Sequence, residues 1–132
     1  MATTNLTVDT FEDTILENDI VLIDFWAGWC QPCKTFGPIF EKVSESHPDV
    51  LFAKVDTDAE QELAAQFGIQ SIPTLAIFRE KILLMNQAGM VPESALEELV
   101  TRVSALDMDE VRAEIAAAQT ADGAETDVAN DA

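Results

Sequence analysis

The chain has 132 residues, 48% of them apolar, and sets 25 acidic side chains against 7 basic ones for a formal charge of −18. Such a length fits one domain around a single core. The acidic excess argues against nucleic-acid binding, which needs clustered Lys and Arg, and against anionic membrane surfaces; no apolar stretch is long enough to span a bilayer.

The opening Met1-Ala2-Thr3-Thr4-Asn5-Leu6 carries neither the basic patch nor the apolar core of a secretory signal, so a cytoplasmic location is expected. Phe11 and Ile15, preceded by Val8, follow helical spacing, with Asp9 and Thr10 as candidate caps. The run Ile20 to Trp26 is too short for a typical helix and rich in β-branched residues, so it predicts a central strand buried on both faces. Phe36, Ile39, Phe40 and Val43 then recur at i, i+3, i+4 and i+7, which predicts a helix to about Ser46, kinked at Pro38. Val50 to Val55 gives a second strand. Asp58 and Gln61 resemble a capping box opening a short helix that Gly68 closes. Such alternation is the signature of βαβ units and a parallel sheet.

The pattern changes after Thr74. Thr74 to Phe78 and Ile82 to Met85 are separated only by Arg79-Glu80-Lys81, too few residues for a helical crossover, so an antiparallel hairpin is expected. Pro92 at a first-turn position starts a helix with apolar face Leu96, Leu99, Val100 and Val103. A further helix is predicted from Met108, capped by Asp107 with Glu110 at its third position. After about Gln119 the chain has almost nothing to bury. Residues 119–132 are therefore an expected acidic disordered tail, and 105–118 an amphipathic helical extension of a domain spanning 1–104.

The chain's two cysteines, Cys30 and Cys33, stand three residues apart where the first strand hands over to a helix. Unpaired amides and the helix dipole stabilise a thiolate there, and a second thiol one turn on can close on the first. Cys30, facing solvent, is the expected nucleophile, and Cys33, tucked inside, the resolving thiol. Pro32 stiffens the loop, and neither it nor Gln31 adds positive charge, which favours a reductant over an oxidant. Asp24 interrupts an otherwise apolar strand. A buried carboxyl has a raised pKa, which suits it to take the Cys33 proton during resolution, with Lys54 as its charge partner; a structural ion pair is the competing account. A zinc site would need two more ligands, and the chain offers only the single His47. Trp26 is expected in the core, and Trp29 on the rim, adding apolar contact area for substrates.

The segment Asp24-Phe25-Trp26-Ala27-Gly28-Trp29-Cys30-Gln31-Pro32-Cys33-Lys34, with Pro38 following, resembles the active-site region of the thioredoxin family; Ile72-Pro73-Thr74 is similar to its second motif, and Gly89 matches the glycine that completes its substrate surface. The resemblance runs from about residue 6 to 104. It implies an α/β thioredoxin fold, a central mixed sheet of four or five strands with helices on both faces, to which the predicted C-terminal helix is an extra element beyond the minimal family fold. It further implies that Pro73 follows a cis peptide bond and packs against Cys30, and that the Ile72 backbone pairs with extended substrate segments. Trp29, Gln31, Pro32, Ile72, Pro73, Gly89 and Met90 would form the docking surface, while Asp24 and Lys54 match the family's buried acid and its lysine.

The implied activity is general reduction of disulfides in cytoplasmic proteins by a monomer. No cofactor is bound, and electrons come from NADPH through thioredoxin reductase, since the chain has no nucleotide-binding glycine fingerprint of its own. A binding module or holdase, and a disulfide isomerase, are the alternatives. Gln31 stands where the family most often has glycine, and the hairpin turn Arg79-Glu80-Lys81 lacks the usual glycine.

Overall fold

Residues 3–118 are described by a computed structural model, and the expected tail at 119–132 lies outside the described residues. The elements follow in the order β1 (Thr3–Asn5), α1 (Val8–Glu17), β2 (Ile20–Trp26), α2 (Gln31–Glu45), β3 (Leu51–Asp56), α3 (Gln61–Gln66), β4 (Thr74–Arg79), β5 (Ile82–Ala88) and α4 (Glu93–Ala105). A last helix, α5, occupies 108–118.

Five strands form one sheet in the order β1-β3-β2-β4-β5. The β1–β3 and β3–β2 pairings are parallel; β2–β4 and β4–β5 are antiparallel. β2 is therefore central, and its alternation sends two apolar sets to opposite faces. Ile20 and Leu22 pack with Phe36, Phe40 and Val43 of α2 and Leu96, Val100 and Val103 of α4. Val21, Ile23 and Phe25 pack on the other face with Ile15 of α1 and Leu63 of α3. Burying each large side chain of this kind contributes roughly 1.5–3 kcal/mol relative to leaving it exposed.

Several local expectations are corrected. The α1 cap is Thr7, not Asp9 or Thr10; Thr10 instead completes a reciprocal capping box as the third helical residue. The three-residue β1 has no periodicity of its own and exists through its pairing with β3. α3 begins after Asp58 because the Asp56 carboxylate accepts from the amides of Asp58 (3.0 Å) and Ala59 (3.3 Å), closing a turn that delays the helix to Gln61. Pro92 is the N-cap of α4 rather than its first turn. The helix predicted to about Ser46 forms as α2, ending at Glu45, with Pro38 inside it, where the ring removes one intrahelical N–H.

The β4–β5 turn places both Glu80 (φ 50°) and Lys81 (φ 70°) in the left-handed region, the pattern of a two-residue hairpin turn made without glycine. It is tethered where the Glu80 N–H donates to Asp19 O at 2.8 Å. Arg79, at the end of β4, donates to the terminal carbonyls of α4: Val103 (2.7 Å), Ser104 (3.3 Å) and Leu106 (2.8 Å). Val103 O also accepts from the Leu106 N–H at 3.3 Å, while the guanidinium supplies donors to the Ser104 and Leu106 carbonyls, so one side chain of the neighbouring sheet caps the end of the helix. Arg79→Ala is expected to destabilise the protein by roughly 1.5–3 kcal/mol in urea unfolding, because it removes the charged donor shared by three carbonyls at the helix end.

The expected cap of α5 forms: Asp107 accepts from the amides of Asp109 (3.1 Å) and Glu110 (3.2 Å). Met108 is buried, and Arg112 pairs with Glu80 of the hairpin and with Asp109. The C-terminal helix thus folds back on the β4–β5 turn. Among the described residues no helix is long and apolar enough to cross a membrane.

Candidate active site

β2 ends at Trp26, and its last turn is fastened to β3: the Thr57 N–H and Oγ1 both donate to Trp26 O, at 2.8 and 3.0 Å. The chain then turns through Ala27–Trp29 and enters α2 with Cys30 as N-cap. Cys30 and Cys33 are joined as a disulfide, their Cα atoms 5.2 Å apart. The Cys33 N–H donates to Cys30 Sγ at 3.2 Å. One of the helix's free N-terminal amides is therefore aimed at the first sulfur, where it would favour negative charge once the bond is reduced.

Cys30 was expected to face solvent, but in this oxidised state both cysteines are only 4% exposed. The cover is the loop before β4. Ile72–Pro73 is a cis peptide bond, as expected, and it brings Ile72 O to 3.6 Å from Cys30 Sγ. Ala27, Cys30 and Cys33 form a small buried cluster against Trp26 and Ile72. Two hydrogen bonds hold this loop: Thr74 Oγ1 donates to Ser71 O (2.6 Å), and Gly89 N donates to Pro73 O (2.8 Å). Gly89 has φ 100°, a conformation that favours a residue without Cβ. The ladder of β4 begins only at Thr74, so the Ile72 backbone lies outside it.

Asp24 is fully buried on the α2 face of β2, in register with Lys54 of β3. Burial pushes its carboxyl up to about 7, against a smaller opposing pull from the Lys54 charge. Neither carboxyl oxygen has a hydrogen-bond partner, and no ion pair within 4.0 Å joins Asp24 to Lys54 among the described residues. The structural ion pair weighed from sequence is therefore absent as a direct contact. The Lys54 ammonium lies instead 5.1 Å from the Trp26 ring centroid and passes beneath Gly37 of α2, 3.7 Å from where a Cβ would sit. Lys54, Cys33, Lys34 and Glu41 line one open groove of about 570 Å³.

Trp26 is half-buried rather than a full core residue, because its ring faces that groove. Trp29 does lie on the rim, 70% exposed. Its indole N–H donates to Asp58 Oδ2 at 3.0 Å, a partnership between residues 29 positions apart that sequence spacing gave no means of finding. Gln31 and Pro32 begin α2, with Gln31 exposed; Met90, beside Gly89, is 43% exposed. His47 is remote from the cysteines in function: its Nε2 meets Glu97 Oε1 at 2.9 Å, linking the end of α2 to α4. Among the described residues no three His, Cys, Asp or Glu side chains converge as a metal site.

The arrangement supports reversible thiol–disulfide exchange: a vicinal pair at a helix start, an apolar cover with free backbone, and a buried acid on the inner side. Comparison with known proteins gives the same picture. The thioredoxin family model matches residues 2–102. A thioredoxin-named protein of Streptomyces coelicolor is 51% identical over 122 residues, covering 92% of this chain and 91% of that one. The thioredoxin of Bacillus subtilis is 40% identical over 84 residues, covering 63% and 81% respectively. Among solved structures, a mutant thioredoxin of Halobacterium salinarum matches with a TM-score of 0.73 at 33% identity, covering 79% of this chain and 92% of that one.

Proposed function

We propose, from the premise that this chain belongs to the thioredoxin family and is a protein-disulfide oxidoreductase, that it works as a general reductant of cytoplasmic protein disulfides through Cys30 and Cys33. The observation that carries the assignment of roles is the Cys33 amide aimed at Cys30 Sγ. It favours the Cys30 thiolate, the species that attacks a substrate disulfide. Attack forms a Cys30–substrate mixed disulfide and releases one substrate sulfur as thiolate. Cys33 then attacks Cys30 Sγ, closing the internal disulfide and releasing the second sulfur. Two electrons pass to the substrate, and the two protons given up by Cys30 and Cys33 match those the substrate thiolates take up.

Asp24 is the base proposed for the Cys33 proton. A carboxyl pushed up to about 7 is poised to accept and return a proton near neutral pH, and the buried oxygens have no hydrogen bond to lose. Lys54 limits that rise. Trp29, Gln31, Pro32, Ile72, Pro73 and Gly89 make the proposed docking surface, on which an extended substrate pairs with the free backbone at Ile72. Reduction of the spent disulfide is assigned to thioredoxin reductase, with NADPH as the electron source. Residues 105–118 are read as a strap on the domain of residues 1–104, supported by buried Met108 and by the Arg112–Glu80 pair. The disulfide pair and the thioredoxin relatives do not favour a redox-silent binding module, a holdase or an isomerase.

The equilibrium potential of the pair tests the direction of electron flow. Titration in thiol–disulfide buffers, followed by the fluorescence of Trp26 and Trp29, is expected to place it well below the cytosolic glutathione poise. A value above that poise would make the protein an oxidant or isomerase and overturn the reading.

A further inference from the structure

The chain leaves the sheet, at the end that carries the site, through Ala88-Gly89-Met90-Val91-Pro92. Ala88 is the last rung of β5 and stands opposite Thr74, the residue after cis Pro73. Gly89 donates its N–H to Pro73 O at 2.8 Å, in the same loop that sets Ile72 O 3.6 Å from Cys30 Sγ. Val91 packs inward against the core cluster shared by α2 and α4, and Pro92 caps α4. Met90 is therefore held between anchored neighbours, while its own side chain is 43% exposed.

A thioether is a soft nucleophile, and exposure decides which methionine an oxidant reaches. Of the described methionines, Met85 is half-buried against the same core cluster and Met108 is buried, which leaves Met90 as the accessible one. No charged side chain occurs from Ile82 to Pro92, so this part of a chain of charge −18 is neutral. A neutral apolar edge suits docking of protein segments, and a strong dipole created there opposes it. While Cys30 and Cys33 are joined, neither offers a thiolate to an oxidant. The Met90 sulfur is then the nucleophilic one left on this face.

We infer that Met90 is a reversible modification site for hydrogen peroxide and organic hydroperoxides, and that its sulfoxide weakens the docking of protein substrates beside Gly89. The inference rests on the oxidoreductase reading and adds to it a control of substrate affinity. The thioether lone pair attacks one peroxide oxygen; the O–O bond breaks, an S–O bond forms, and water or an alcohol leaves after a proton shift within the peroxide. Sulfur loses the two electrons that the peroxide gains. A dithiol-dependent sulfoxide reductase returns two electrons and two protons and releases the oxygen as water. Met90 lies outside the buried cluster of Ala27, Cys30 and Cys33, so exchange with a small disulfide continues.

The test treats the full chain, in its disulfide form, with hydrogen peroxide and locates the added oxygen by peptide mass mapping. The pair is then reduced with dithiothreitol, which is removed, and the protein is assayed on insulin and on hydroxyethyl disulfide. Oxygen is expected on Met90 ahead of Met85 and Met108. The KM for insulin should rise roughly three- to ten-fold, with the hydroxyethyl disulfide rate held within about two-fold. In Met90→Leu the insulin KM should be the same before and after peroxide, and Met90→Gln, a neutral polar stand-in for the sulfoxide, should show the raised KM without it. Sulfoxide reductases for both epimers, supplied with dithiothreitol, should restore the treated protein.

Oxygen found on Met85 or Met108 ahead of Met90 would overturn the inference, as would an equal loss on peroxide treatment in Met90→Leu. Complete oxidation of Met90 with unchanged insulin kinetics would overturn it while leaving the oxidoreductase reading intact. Failure of the untreated protein to reduce either substrate would bring down both.

Discussion

Cys30→Ser is expected to abolish protein-disulfide reduction, leaving only the uncatalysed background in an insulin-reduction assay. A serine hydroxyl at the same N-cap still accepts the Cys33 amide, so the fold and the cap survive while the nucleophile is lost. Cys33→Ser has a different signature. The amide that favours the Cys30 thiolate belongs to the backbone of residue 33 and is retained, so the first attack proceeds. Resolution does not, and the protein should accumulate as mixed disulfides, visible as higher-mass species on non-reducing gels and by intact mass spectrometry. Normal turnover by the Cys30→Ser protein would refute the assignment of the attacking sulfur. Trapping by Cys30→Ser rather than Cys33→Ser would reverse the two roles.

The second large effect concerns Asp24 and is thermodynamic. The carboxyl is fully buried without a hydrogen bond, and burial raises it from 3.8 to about 7 despite Lys54. A folded-state value raised above the unfolded one means that folding takes up a proton between them. The contribution to stability is fully present below about pH 4 and is lost as pH rises through 7. At 1.36 kcal/mol per pH unit, a rise of this size corresponds to roughly 4 kcal/mol between the two limits. Urea unfolding at pH 5 and pH 8 should therefore show the native protein losing a few kcal/mol that Asp24→Asn does not lose. Parallel pH profiles for the two proteins would show that Asp24 is not the titrating group. A slower resolution step in Asp24→Asn, seen as longer-lived mixed disulfide at pH 7, is the accompanying kinetic expectation.

The strands that carry the site were legible because burial imposes a pattern on sequence. Ile20 to Trp26 is apolar on both alternating sets except at Asp24, and it is the sheet's central strand with helices on both faces. The hairpin was forced by the three residues between two apolar runs, and the α5 cap by the spacing of Asp107 and Glu110. Local rules failed where the deciding partner is distant in sequence. β1 exists through β3, and α3 starts late because Asp56 takes the turn's amides first. Glu80 and Lys81 adopt left-handed conformations in a turn tethered to Asp19 and held by Arg112.

The same division runs through the site. Sequence alone determined that two thiols sit at a strand-to-helix junction with an acid in the strand below, because the spacing of Cys30, Cys33 and Asp24 is a property of one continuous segment. The burial of Cys30 under Ile72, the missing direct contact between Asp24 and Lys54, and the Trp29–Asp58 hydrogen bond were decided only by tertiary structure. Each depends on how two segments approach in space. Periodicity and capping constrain residues within a few positions of one another, whereas these contacts are fixed by sheet order and by which loops close over the end of α2.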